Sequence, residues 1–172
     1  MKKAIYVIIA LVAVALFIFL WQTRTIMYRN TEFRFSFKYS ARWEEKYNES
    51  TLITLRNSNG SVEINVIARE NTEGYSKSVS ELGEGYINLL KVFNEEATYE
   101  VLSDETIMIN GNKTKAQKVS FKETKKGNTE CETAVLIPVS NREITITIRG
   151  TEEGMKKNEK QINKVIDSIK IY

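Results

Sequence analysis

The chain has 172 residues, 42% hydrophobic and 27% charged, which gives room for one domain with a real core but not for two comfortable ones. Its formal net charge is +3, and Lys2 and Lys3 supply most of that ahead of an apolar run, so the remainder is near-neutral and lacks the electrostatic footprint of a nucleic-acid binder. Histidine is absent and cysteine occurs once, which excludes His-based triads, an internal disulfide and most zinc chemistry.

Residues 4–21 are uninterrupted apolar sequence. As a helix they would span about 27 Å, close to the thickness of a bilayer's hydrocarbon core. Lys2 and Lys3 before the run favour a cytoplasmic start, and Trp21 ends it where an amphipathic ring suits the interface. The rival is a cleaved signal peptide. Ala13-Val14-Ala15 has the small-x-small pattern, but cleavage there would leave the greasy stretch 16–21 as a new terminus. The expectation is an uncleaved, single-pass signal anchor over 1–24, a linker over 25–32 and an extracytoplasmic domain over 33–172.

Within that domain, Phe33, Phe35, Phe37 and Tyr39 alternate with polar residues, the period of a strand with one buried face. Trp43 follows in a turn-rich stretch. Strand-like runs at 51–56 and 61–68 flank Asn57-Ser58-Asn59-Gly60, a hairpin signal, with Val62, Ile64, Val66 and Ala68 on one face. Residues 71–77 read as a polar loop. Val79, Leu82, Tyr86, Leu89, Leu90 and Phe93 recur at helical spacing over 78–93, with Ser78 and Glu81 placed for a capping box and Gly83 and Gly85 weakening the helix.

Strands return at 99–102 and 106–109, and Asn110-Gly111 marks a second hairpin. A strand over 113–122 places Val119 and Phe121 on one face, and a turn follows at 125–128. Residues 129–139 and 142–149 form another pair around Ser140-Asn141, with Ile144, Ile146 and Ile148 alternating with threonines. Pro138, the only proline, implies an edge position or a strand end. The closing helix, 151–168, carries Met155, Ile162, Val165 and Ile166 on one stripe, continued by Ile169, with Glu152 and Glu153 at its start and Lys164 near its end. The fold class is α+β, built mainly on an antiparallel sheet.

Chemistry-bearing groups are sparse. The acidic candidates are Glu44, Glu45 and Glu49, Glu95 and Glu96, Asp104 and Glu105, and Glu130 and Glu132. Neighbours in a strand point to opposite faces, so Asp104 and Glu105 make a poor catalytic pair; Glu130 and Glu132 share a face, whose bland reading is a solvated strand surface. Asn57-Ser58-Asn59-Gly60 offers calcium no carboxylate. Cys131, between glutamates and without a histidine base, reads as a packed small residue. Lys113, Lys115, Lys118, Lys122, Lys125 and Lys126 form a basic stretch around one hairpin. It could meet anionic headgroups, wall polymers or an acidic partner, or simply blunt exposed strands. The row Phe33, Phe35, Phe37 could floor a ligand pocket, but core is the better reading.

The pattern Phe33-x-Phe35-x-Phe37-x-Tyr39-x-x-x-Trp43, then Gly60-Ser61-Val62-x-Ile64-x-Val66, Tyr99-x-Val101-Leu102-Ser103, Ile107-x-Ile109-Asn110-Gly111-x-x-x-x-Ala116 and Ile166-x-x-Ile169-x-Ile171 resembles the PsbP-like family across residues 32–172. The family usually places proline after the tyrosine, where this chain has Ser40. The resemblance implies an α/β/α sandwich around a mainly antiparallel sheet, and a binding or assembly module rather than an enzyme. It carries over no functional residue. The functional expectation is a membrane-tethered extracytoplasmic interaction module without catalytic activity or cofactor, meeting a protein partner at the outer membrane face and no nucleic acid. One alternative is a binding module holding an apolar or wall-derived ligand between sheet and helix. Another is a His-free hydrolase using facing carboxylates.

Overall fold

The computed structural model describes residues 2–71, 78–109, 111, 113–139 and 141–172. The expected polar loop at 71–77 lies almost wholly outside these residues, as do Asn110 and Ser140 of the two expected turns.

The first element is helix α1, Lys2–Thr23. Its described side chains, at Tyr6, Val7 and 9–17, are all exposed; that of Trp21 lies outside the described residues. Among the described residues no helix is long and apolar enough to cross a membrane.

Among the described residues ten strands form two antiparallel sheets. The small sheet is β1 (Thr25–Asn30), β2 (Phe35–Ser40) and β10 (Lys170–Ile171), with β2 in the middle. The segment expected as a linker therefore holds a strand, and the folded part begins at Thr25. No period betrays β1, because it is an edge strand whose residues are mostly exposed. Its turn into β2 puts Arg34 at φ 51°, and the Asn30 side chain accepts the Phe33 N–H at 2.8 Å. Phe35, Phe37 and Tyr39 alternate inward as expected; Phe33 is buried from the turn.

The large sheet runs β3-β4-β5-β9-β8-β7-β6. Its strands are β3 (Trp43–Asn48), β4 (Leu52–Asn57), β5 (Val62–Glu70), β6 (Thr98–Ile109), β7 (Thr114–Lys125), β8 (Asn128–Val139) and β9 (Arg142–Gly150). Trp43 opens a strand rather than sitting in a turn. β6 is one strand where two short ones were expected. The polar Ser103-Asp104-Glu105 stays in the ladder because an edge strand need not bury it, and the register absorbs one extra residue between Val101 and Ser103. Lys126 and Gly127, with φ of 52° and 81°, make the two-residue turn between β7 and β8. Pro138 sits near the end of β8, beyond the last residue paired with β7.

The sheet's two faces are covered differently. One packs Ile53, Leu55, Val62, Ile64, Val66, Val135, Ile137, Ile144, Ile146 and Ile148 against the small sheet and helix α3, Glu152–Asp167. The Thr151 hydroxyl accepts the Gly154 N–H at 3.0 Å and starts α3, while Ile162, Val165 and Ile166 face the core. A Cβ on Gly154 would lie 2.7 Å from the Ser61 carbonyl, so glycine lets the helix reach the β4–β5 hairpin. The other face carries helix α2, Leu82–Phe93, after a 3-10 turn at Val79–Glu81. The expected helix over 78–93 is thus an α-helix with a tighter entry. Glu81 accepts the Ser78 N–H at 2.7 Å there. The result is α2, large sheet, then small sheet with α3.

Candidate functional site

α2 is seated by a small core of its own. Ile87, with Leu82, Tyr86 and Leu90, packs on Val119, Phe121, Ala134, Leu136 and Tyr99. Gly83 makes the approach possible, because a Cβ there would run into the Asp104 carboxylate of β6. The helix covers the β6–β7–β8 side of the sheet and stops. Beyond it the same face, over β9, β5 and β4, bears Thr145, Thr147, Glu143, Asn65, Ile67, Arg69 and Thr54.

A groove of about 360 Å3 lies along this boundary. Leu82, Gly85, Tyr86 and Leu89 form its helical wall, and Ile67, Arg69, Glu143, Thr145 and Thr147 belong to its strand side. Arg69 and Glu143 pair at 3.0 Å, and the Thr145 hydroxyl donates to Glu143 at 3.2 Å. Leu82, Tyr86, Leu89 and Phe93 follow one helical stripe. Leu89 is 47% and Phe93 80% exposed, and Val92 beside them is 70% exposed. An apolar ridge therefore borders a polar floor.

A charge cluster stands beside the groove. The Arg149 guanidinium meets Glu130 at 2.8 Å, Glu132 at 3.7 Å and Glu123 in close contact. Tyr86 donates to Glu132 at 2.9 Å, and Asn94 donates to Glu123 at 2.7 Å. Burial and the Glu130 charge push the Glu132 carboxyl up, with the Tyr86 hydrogen bond opposing them. Burial, with the charge of Glu132, raises the Tyr86 phenol well above its usual value. The carboxylates thus tie α2 to the sheet through Arg149, Tyr86 and Asn94. Among the described residues no group of three or more Cys, Asp or Glu side chains is placed to hold a metal ion.

Glu130 and Glu132 share a face as expected, and Glu123 joins them. The other acids disperse: Glu44 pairs with Lys46 at 2.6 Å, Glu45 accepts from Tyr39 and Asn48, and Glu96 pairs with Lys126 at 3.5 Å. Asp104 and Glu105 point apart, to Gln117 and Lys118. The six candidate lysines do not share a surface. Lys115 and Lys125 lie on one face of β7, Lys118 and Lys122 on the other, and Lys113 and Lys126 in the turns at its two ends. Lys118 pairs with Glu105 at 3.0 Å, Lys122 with Glu152 at 3.3 Å, and Lys125 donates to Asn94 at 2.7 Å. Burial, helped by the Glu152 charge, pushes the Cys131 thiol up, away from nucleophilic character. Phe33, Phe35 and Phe37 are core, so the space between sheet and α3 is filled where a ligand floor was conceivable. Arg149 and Glu123 escaped the sequence reading because a charged residue on an alternating strand looks solvated until its neighbours are known.

No family model matches the sequence, and no curated protein does. Solved structures do. The cyanobacterial PsbP (CyanoP) of Synechocystis aligns with a TM-score of 0.66 at 16% identity, over 86% of this chain and 92% of that one. The Ran-binding protein Mog1p of Saccharomyces cerevisiae gives 0.61 at 13% identity, over 87% and 96%. LpqN of Mycobacterium tuberculosis, described as involved in cell envelope biogenesis, gives 0.56 at 10% identity, over 86% and 90%. The chain has the PsbP/Mog1-like α+β fold, as the sequence resemblance implied. At these identities the likeness concerns fold alone.

Proposed function

We propose that the protein is a membrane-tethered extracytoplasmic interaction module that works without catalysis, and that its partner docks on the α2 ridge and groove. The observation that carries the docking reading is the exposed part of α2, where Leu89, Val92 and Phe93 turn large apolar side chains to solvent and Leu89 borders the groove floor. An aromatic and aliphatic centre with a polar surround is the composition of a protein interface core and rim. A Ran-binding protein of the same fold supports a binding role by analogy, and an envelope-biogenesis protein of that fold supports a place at the envelope. The anchor rests on the unbroken apolar run 4–21 behind Lys2 and Lys3, which sets the N-terminus in the cytoplasm and the folded domain outside.

The test is photo-crosslinking in living cells, with a photoreactive residue in place of Phe93 in the full chain and, as control, in place of Lys156 on α3. One discrete adduct from position 93 and none from position 156 is the expected result. Equal, diffuse labelling from both positions would remove the α2 ridge as the docking site.

A further inference from the structure

The fold gathers a basic surface that no stretch of the sequence announces. Pairing of β1 with β2 sets Thr25 against Ser40, Met27 against Lys38 and Arg29 against Ser36, and β10 adds Lys170 against Ser36. Directly paired residues share a face, so Met27, Arg29, Lys38 and Lys170 lie together on the outer side of the small sheet, all exposed. None of the small sheet's own residues on that side is acidic; Glu32, Glu45 and Glu49 share a groove with Met27 and Arg29 at the free edge of β1.

At the end nearest α1 this face runs into a groove of about 490 Å3, lined by Arg24, Lys38, Ser40, Gln161, Lys164 and Asp167 among others. Ser168 fixes that geometry. Its hydroxyl accepts the Lys38 N–H at 2.7 Å, which holds the last turn of α3, and so Lys164, beside β2. Three cations face one carboxylate there. Lys164 lies in the final turn of α3, where its charge offsets the helix's own negative end.

Position gives this surface its meaning. α1 ends at Thr23 and β1 starts at Thr25, so Arg24 is the whole connection. Ala41 donates its N–H to the Arg24 carbonyl at 2.9 Å, so the β2–β3 turn is held at the same spot. Arg24, the residue that follows α1, itself lines the groove, so the groove adjoins the helix end, and screening over about 8 Å at physiological ionic strength leaves charges this close to a headgroup layer effective.

We infer that this face, from the Arg24–Lys38–Lys164 groove across Met27 and Arg29, rests on the bilayer and binds the phosphates of anionic phospholipid headgroups. Cations supply the attraction, and Met27 supplies an apolar side chain among them for the interface. The inference rests on the anchored reading of α1. It fixes how the domain stands: small sheet toward the lipid, with the α2 ridge, on the opposite side of the large sheet, toward a partner.

The test uses the full chain in nanodiscs of phosphatidylcholine, with or without about 30% phosphatidylglycerol, and reads amide exchange at 36–42 and 160–168. The expected result is exchange slowed about threefold or more by the anionic lipid, with protection lost in high salt and in the K38Q/K164Q double variant. Exchange across 142–149 should not change, which reports that the variant remains folded. Equal exchange in the two lipids would overturn the headgroup inference and leave the anchor standing. Release of the chain from membranes by alkaline carbonate would overturn the anchor and the inference with it. Loss of protection on adding millimolar free glycerol phosphate would show a small-anion site in place of lipid contact, and would also overturn it.

Discussion

The two faces of the large sheet are built from the same strands and to different rules. On the closed face Ile144, Ile146, Ile148 and their neighbours on β5 and β8 are sealed by the small sheet and α3, and the side chains are apolar almost without exception. On the open face α2 covers less than the sheet's width, and the residues between are Thr145, Thr147, Glu143, Arg69 and the carboxylates around Arg149. One residue of β9 faces the sealed core and the next faces the open groove. A strand that alternates Ile with Thr is therefore recording a division of labour between core and surface.

Substitutions that ignore this division should show it most clearly. Ile146→Ala on the closed face is expected to cost about 3–4 kcal/mol, as a buried methylene deletion with a residual cavity does, read as a fall in the urea midpoint. A loss under about 1 kcal/mol would mean the closed face is loosely packed. Tyr86→Phe at the boundary between the faces removes one hydrogen bond to the buried Glu132 and is expected to cost about 1–2 kcal/mol. Its effect on the midpoint should fall between those of the two faces.

A pH series sharpens the comparison further. The folded Glu132 carboxyl holds its proton more tightly than an ordinary glutamate, so its ionisation opposes folding. That opposition is absent below the ordinary glutamate value and complete above the raised one. Glu132→Gln cannot ionise. Its stability relative to the wild type should therefore be higher at pH 8 than at pH 4, converging as pH falls through the raised value, in paired denaturation curves. A gap that widens in acid would show that the Arg149 contact outweighs burial.

The open face also predicts small numbers. Phe93→Ser should leave stability within about 0.5 kcal/mol, since the ring is mostly in water, while abolishing the crosslinked adduct expected from neighbouring Leu89. On the opposite side of β7, in register with Val135 of the closed face, Lys118→Ala breaks a surface pair with Glu105 and should move the midpoint by no more than about 0.5 kcal/mol, checked by the same titration.

The same asymmetry explains which parts of the molecule could be read from its sequence. Strands that bury a face announce themselves: Phe35, Phe37 and Tyr39, Val62 to Ala68, and Ile144 to Ile148 all carry the period of two. β1, β3 and β10 do not, because exposed or very short edge strands are specified by their partners. α2 was legible from its apolar stripe, yet the stripe does not say which of its members stay in water; Leu90 joins the core and Phe93 does not. Charge behaved worst. Six lysines close in sequence around β7 scatter over two faces and two turns, whereas Arg24, Lys38 and Lys164, far apart in sequence, meet at one groove. Contiguity of like charges in a strand is nearly the opposite of contiguity on a surface, since alternate residues part company.

The position of β2 bears on how the chain comes to be folded at all. It lies between β1, which precedes it by a single turn, and β10, whose residues Lys170 and Ile171 pair with Ser36 and Phe35 from the far end of the chain. Synthesis from the N-terminus delivers the aromatic row well before α3 and β10, a delay on the order of ten seconds at ordinary elongation rates. Through that interval Phe35 and Phe37 have half a shelter, and nothing local can complete it. A chain without α3 and β10 would leave Phe35 and Phe37 open on that side, so these two segments act as the seal over the aromatic row.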